Sequence, residues 1–344
     1  MYFEIEPKSK DKDFYGYSHE FSEVERALKR KERIIVLRGV RRVGKTSLMN
    51  IFFNKYSKNS LWIDGRMIKN PIREIPFLLN ERVKTKQNII GQIEGVGVSA
   101  FGMGVNINIK KSDFYYIDNF SKNKEHFYIF IDEAQRSNSK ELADFISYVY
   151  DKVKNITFIL SGSEIGLLEE VVGTYDATHS LYGRQILYID MNRLDRSGSE
   201  DFLKKGFEQL NMKIDSKELT SVVNELDGLI GWLTLYGYNR CIVNKKDPLI
   251  ETVNVAHRIA EVELQNFLMT RKNKKLYSYL LRYVDGKSWT ELDVIISSKI
   301  GKVNPNSLSS ALSVLEDYSF IYKRDGLYYI SDPLYLKASS SLII

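Results

Sequence analysis

The chain has 344 residues, 43% hydrophobic and 27% charged, the balance of an ordinary soluble globular protein of two or three domains. Its single cysteine, Cys241, excludes an intramolecular disulfide and a cysteine-rich zinc site, and His19, His126, His179 and His257 share no metal-ligand spacing. The polar start, MYFEIEPKSKDKD, and the absence of a run of about 18 apolar residues predict no signal peptide, no membrane span and a cytoplasmic protein. A net charge of +6 suits a polyanion partner, and equally a solvated surface.

The first chain-order signal is Arg33–Arg38, a short apolar run that reads as a buried strand. A glycine loop follows, then an amphipathic stretch over Ser47–Lys55 that predicts a helix. Further buried strands are expected at Leu61–Asp64, Phe127–Asp132, Ile156–Ser161 and Gln185–Asp190, with a helix over Lys140–Val153. Strands alternating with helices imply an α/β core with a parallel sheet and right-handed crossovers. Gly95–Ile109 alternates small or polar with apolar residues and predicts a hairpin insertion at about 92–110. No helix pattern opens after its glycines, so it lacks the context of a dinucleotide fingerprint.

From about Asp195 the pattern turns helical, over Ser199–Leu210, Ser216–Leu226, Trp232–Asn239 and Ile250–Leu268. The tail adds helices over Lys272–Tyr283, Ser288–Ser297 and Ser307–Glu316, then Phe320–Ile330 with a tight turn at Asp325-Gly326. The expected domains are therefore an α/β core over 1–194, a helical domain over 195–267 and a winged-helix-like domain over 268–344.

Gly39-Val40-Arg41-Arg42-Val43-Gly44-Lys45-Thr46 satisfies G-x-x-x-x-G-K-[ST], and Ser47 follows it. The glycines let successive N–H groups point at a phosphate, and the helix that follows adds the positive end of its dipole. Lys45 is expected to reach the β- and γ-phosphates of ATP, and the Thr46 hydroxyl to ligate Mg²⁺. Phe127–Asp132 ends an apolar strand in two adjacent acids, at the strand end where parallel sheets bind ligands. Asp132 is the expected Mg²⁺ partner and Glu133 the base that activates water. Ile156–Leu160 ends in Ser161-Gly162-Ser163-Glu164, whose serines could sense the γ-phosphate or place the water; Ser163 reads equally as a helix cap.

Together these residues resemble the archaeal ATPase family of the AAA+/STAND group of P-loop proteins. The likeness rests on Gly39–Ser47, Ile131-Asp-Glu-Ala-Gln135, Leu160-Ser-Gly-Ser-Glu164, Leu181-Tyr-Gly-Arg184 and Gly231-Trp-Leu-Thr234, and so covers most of the chain. It implies a sheet ordered 5-1-4-3-2, a helical lid and a C-terminal winged helix. It also implies Ser161 at a first sensor position and Arg184 as a candidate arginine finger, against which stands a surface arginine in a structural ion pair. Phe14-Tyr-Gly-Tyr-Ser-His-Glu20 departs from the family's Gly-Arg-Glu beside the adenine, Ile230 stands where a proline is usual, and no second-sensor arginine is evident.

The expected function is an ATP-driven switch exposing a surface for a protein partner. A DNA-handling motor or loader, gripping duplex DNA non-specifically and working as a homo-oligomer, is the alternative; a helicase, suggested by Asp132-Glu-Ala-Gln135, ranks last. Residues 268–344 hold eleven Lys/Arg against seven Asp/Glu, yet Ser307–Glu316 has no Lys or Arg, which makes it a poor reading helix for DNA.

Overall fold

A computed structural model describes residues 1–88, 125–173 and 176–342. The expected hairpin at 92–110 lies outside them. The apolar runs form parallel strands β1 (Ile34–Arg38), β2 (Ser60–Asp64), β3 (Phe127–Asp132), β4 (Ile156–Gly162) and β5 (Leu187–Asp190), in spatial order β2-β3-β4-β1-β5. This is the 5-1-4-3-2 arrangement the resemblance implied. All six residues of β3 and all seven of β4 are buried, which is why they read as continuous apolar runs rather than as alternation.

Alternate strand residues nevertheless serve two cores. Ile34 and Val36 face one side of the sheet with Ile129, Ile131, Phe158 and Leu160; there they meet α3 (Pro71–Asn88), α4 (Ser139–Lys152) and α5 (Ile165–Val172). Ile35 and Leu37 face the other side with Phe130 and Ile159, against α2 (Lys45–Lys55) and α1 (Ser18–Arg30). Helices α1 and α3 are additional to the elements expected above. In α1, Val24, Ala27 and Leu28 lie on the buried face of a strongly amphipathic helix, so its period was present in the sequence. In α3, Pro76 interrupts the pattern.

The second core runs without a break into the helical region: α6 (Arg196–Glu208), α7 (Ser216–Leu226), α8 (Ile230–Gly237) and α9 (Pro248–Met269). Asp215 begins α7 by accepting hydrogen bonds from the N–H groups of Lys217 and Glu218, and Pro248 opens α9 at a position where its missing N–H costs nothing. Then follow α10 (Lys274–Tyr283), α11 (Trp289–Ile300) and α12 (Pro305–Asp317), with a sheet of β6 (Lys287–Ser288), β7 (Ile321–Arg324) and β8 (Leu327–Ile330) ordered β6-β8-β7. Positive φ at both Asp325 (52°) and Gly326 (80°) gives the β7–β8 turn the twist that a two-residue hairpin needs. A last helix, α13 (Pro333–Ser341), which the sequence pattern did not reveal, packs along α9.

The N-terminal segment is also tied in. Phe3 is fully buried between Gly206 of α6 and Gly237 of α8, where an added Cβ would stand 2.2 Å from its ring in either case. The backbone that follows is thereby laid across the mouth of the site.

Candidate functional site

The loop Gly39–Thr46 joins the carboxyl end of β1 to α2. Two of its positions admit only glycine. At Gly39 (φ 154°) a Cβ would stand 2.2 Å from the Met191 carbonyl oxygen, and Gly44 (φ 99°) sits in left-handed backbone as the residue before α2. Lys45 is 5% exposed, and its ammonium donates to the carbonyls of Gly39 (2.6 Å) and Val40 (2.8 Å). Burial pushes that ammonium down to about 8, against the pull of Glu133 and Asp132. Ser47 lines the same cleft as Lys45 and Thr46, its Oγ accepting the Lys8 N–H at 3.0 Å.

Asp132 ends β3 opposite this loop. Its Oδ2 accepts the Thr46 hydroxyl at 3.0 Å and its Oδ1 accepts the Ser161 hydroxyl from neighbouring β4. Burial raises the Asp132 carboxyl above its ordinary value, while both hydroxyls pull the other way. A hydroxyl and a carboxylate at this spacing fit Mg²⁺, which takes few protein ligands and fills its octahedron with water and phosphate oxygens. Ser161 itself is fully buried beneath Asp132.

Glu133 adopts left-handed backbone (φ 51°) and turns the chain sharply after the strand. Gly65 makes room for this turn, since a Cβ there would stand 2.3 Å from the Glu133 carbonyl oxygen. The Glu133 carboxylate accepts from Gln135 Nε2 (2.6 Å) and Ser163 Oγ (2.9 Å) through one oxygen, Oε2. Glu164, 1% exposed, then receives Arg41 at 2.8 Å and Arg136 at 2.5 Å. Gln135 and Glu164 carried no distinct sign of these contacts in the sequence, whereas Ser163 stood out as one of the polar side chains at the end of its strand. The cap reading of Ser163 is not what forms: its hydroxyl is spent on Glu133, and α5 begins without a side-chain cap.

Lys45, Thr46, Glu133 and Ser163 line a cleft of about 370 Å³. Its far wall comes from Ile5–Lys8, Phe14 and Tyr15 of the N-terminal segment and from Ile230, Gly231 and Thr234 at the start of α8. The cleft thus brings the loop's N–H groups and cation together with aromatic and apolar side chains, beside the charged Glu4, Glu6, Lys8 and Asp13.

A family model for an ATPase domain found predominantly in Archaea matches residues 14–235, well over half of the chain. The chain belongs to that family. Among solved structures, a Walker-type ATPase of Pyrococcus abyssi is similar at 25% identity and a TM-score of 0.79, over 99% of this chain and 100% of that one. Cdc6p of Pyrobaculum aerophilum shares the fold at 12% identity and a TM-score of 0.51, over 98% of this chain and 97% of that one. No curated protein matches the chain. The residues on which the archaeal ATPase resemblance rested separate into two groups in space. Those of the loop, Asp132–Gln135 and Ser161–Glu164 converge on one place. Arg184 instead pairs with Asp151 of α4 at 2.8 Å, donates to the Ser180 carbonyl, and lies 5.6 Å from the centre of the Tyr150 ring.

Proposed function

We propose that this member of the archaeal ATPase family binds ATP with Mg²⁺ and hydrolyses it. The observation that carries the reading is that Lys45, Thr46 and Glu133 line a single cleft, with Asp132 bonded to the Thr46 hydroxyl behind it. In it, the Gly39–Thr46 backbone would cradle the phosphates and Lys45 would exchange two carbonyl partners for phosphate oxygens. Thr46 and Asp132 would hold the metal, which neutralises charge on the transferring phosphoryl group. Glu133, in reach of Lys45 but held by Ser163 and Gln135, would take the proton of the attacking water. The side chains of Phe14, Tyr15 and Ile230 in the cleft suit a purine base.

We read residues 1–194 as the ATPase core, 195–267 as a lid and 268–344 as a winged helix, and the whole as a nucleotide-driven switch. Support for the switch over a DNA-handling role comes from how α12 is used. Its C-terminal end faces the core: the Ser319 hydroxyl accepts the Ile165 N–H at 2.9 Å, and a Cβ on Gly166 would stand 2.3 Å from Asp317. A helix docked on the ATPase core and bare of Lys and Arg suits a protein contact better than a DNA groove. Arg184, bound to α4 of its own chain, is read as structural.

Lys45→Ala should abolish tight ATP binding or turnover, since nothing else replaces its charge at the β- and γ-phosphates. Glu133→Gln should bind ATP in calorimetry and leave it intact. Normal phosphate release from either variant would overturn the assignment.

A further inference from the structure

Arg42, three residues before Lys45, ties the phosphate loop to α8, α9 and the start of α13. It has positive φ (69°), and its carbonyl accepts the N–H of Gly231 at 2.9 Å. A Cβ on Gly231 would stand 2.9 Å from that of Arg42, so α8 begins directly on the loop backbone. The guanidinium lies 4.1 Å from the centre of the Trp232 ring and donates to Glu263 of α9 at 2.8 Å. Its Nη1 is 3.7 Å from Asp332 Oδ2 and has no hydrogen-bond partner.

Asp332 does not line the cleft, and its own contacts are fully specified. It is 4% exposed, starts α13 by accepting the Leu334 N–H at 2.9 Å, and accepts the Trp232 indole N–H at 2.9 Å. Tyr335, one turn further on, donates to the second oxygen of Glu263 at 2.5 Å. A buried guanidinium needs a counter-charge, and the loop supplies none. Both carboxylates facing Arg42 come from more than 200 residues downstream in the chain, one from the C-terminal helix.

We propose that Asp332, together with Glu263, is a positioning residue for nucleotide binding, acting through Arg42 on the shape of the phosphate loop. The left-handed backbone at Arg42 is unfavourable for a side chain of its size, and it persists because Gly231, Trp232 and the two carboxylates fix the residue from outside. Seating of the C-terminal helix and closure of the loop around phosphate are then one equilibrium. By linkage, nucleotide must tighten that seating as much as the seating tightens nucleotide. The inference rests on the ATP-binding reading above and adds to it a dependence on residues that never touch the nucleotide.

The test is a double-mutant cycle on ATP–Mg²⁺ affinity, measured by calorimetry with Arg42→Ala, Asp332→Asn and both together. Asparagine keeps an acceptor for the Leu334 N–H, removes the charge, and gives up the oxygen that accepts the Trp232 indole N–H. Each single variant should bind about ten-fold more weakly, within the 5- to 150-fold range typical of coupled sites, and the double no more weakly than Arg42→Ala alone. Additive losses, or unchanged affinity beside a lowered urea midpoint, would make the cluster purely structural and overturn the proposal. A second readout does not depend on Asp332→Asn folding. In a Trp62→Phe, Trp289→Phe chain, saturating ATP should shift the emission of Trp232, which touches Arg42 and Asp332; an unchanged spectrum overturns the proposal. A wild-type chain that binds no ATP overturns this inference and the ATPase reading together, whereas binding without coupling removes this inference alone.

Discussion

At the scale of single residues, Glu133 is the side chain whose surroundings were least visible from the sequence. An acid after an apolar strand marks the position, yet its carboxylate is aimed by Gln135 and Ser163, which bond the same oxygen. In the proposed mechanism those bonds would leave Oε1 to receive the proton of the attacking water. Loss of one donor should therefore change the chemical step more than it changes binding. Ser163→Ala should lower kcat about ten-fold while ATP affinity stays within about two-fold, a split typical of groups that act in the transition state. Steady-state kinetics beside calorimetry would check it, and a change in affinity with kcat intact would refute it. Ser161 makes the contrast: a neighbouring serine of the same strand end, fully buried, whose hydroxyl serves the Asp132 carboxylate instead.

At the scale of elements, β3 carries chemistry at one end and a titratable anchor at the other. His126 stands just before the strand, its Nε2 2.8 Å from the Thr157 hydroxyl of β4, and burial lowers its imidazole to about 4, helped by Lys31 and Arg33. The unfolded chain takes up a proton near the ordinary value of 6.5, and the folded chain does not until about 4. Between those values the unfolded state binds more protons, so folding stability should fall as pH drops from 6.5 toward 4. His126→Asn should flatten that part of the curve relative to the wild type, as read from urea midpoints at several pH values. Equal slopes for the two proteins would show that His126 does not titrate this way. The location of β3 was legible because a strand covered on both faces must be apolar throughout. The location of α3 was not, because an internal proline weakens the helical period, whereas α1 carries a strong period around Val24, Ala27 and Leu28.

At the scale of the whole molecule, the cleft is closed by parts distant in sequence. Phe3 lies between α6 and α8, and the five residues after it include Ile5–Lys8, which line the cleft opposite the phosphate loop. The Lys8 backbone then bonds Ser47 and, through its carbonyl, Asn50 of α2. Phe3→Ala would empty a fully buried aromatic site, at a cost of about 3–5 kcal/mol of stability on general grounds. Because the same residue anchors the cleft wall, ATP affinity should fall as well, whereas truncating Phe207 of the same core should cost stability with a smaller effect on binding. Thermal melts with and without ATP–Mg²⁺ would separate the two: equal ligand-induced shifts for both variants would mean that the N-terminal wall does not bear on nucleotide.

What the sequence determined by itself is the part of this protein whose chemistry is local. A phosphate-binding loop is made by one run of backbone, so Gly39–Thr46 spells it out in full, and the strand before it and helix after it confirm the context. Asp132 and Glu133 were legible for a similar reason, since an apolar strand fixes where its last residues point. The tertiary structure alone decided which oxygen Gln135 and Ser163 hold and that Glu164 gathers Arg41 and Arg136. It also decided that Arg42 answers to Glu263 and Asp332, and that a polar-looking amino terminus becomes a wall of the cleft. Apart from Gln135, two residues from Glu133, these contacts join positions 28 to 290 residues apart, as the spans from Arg136 to Glu164 and from Arg42 to Asp332 show. No period or motif encodes such a pairing, because burial selects partners by where the packed elements bring them and not by their distance along the chain.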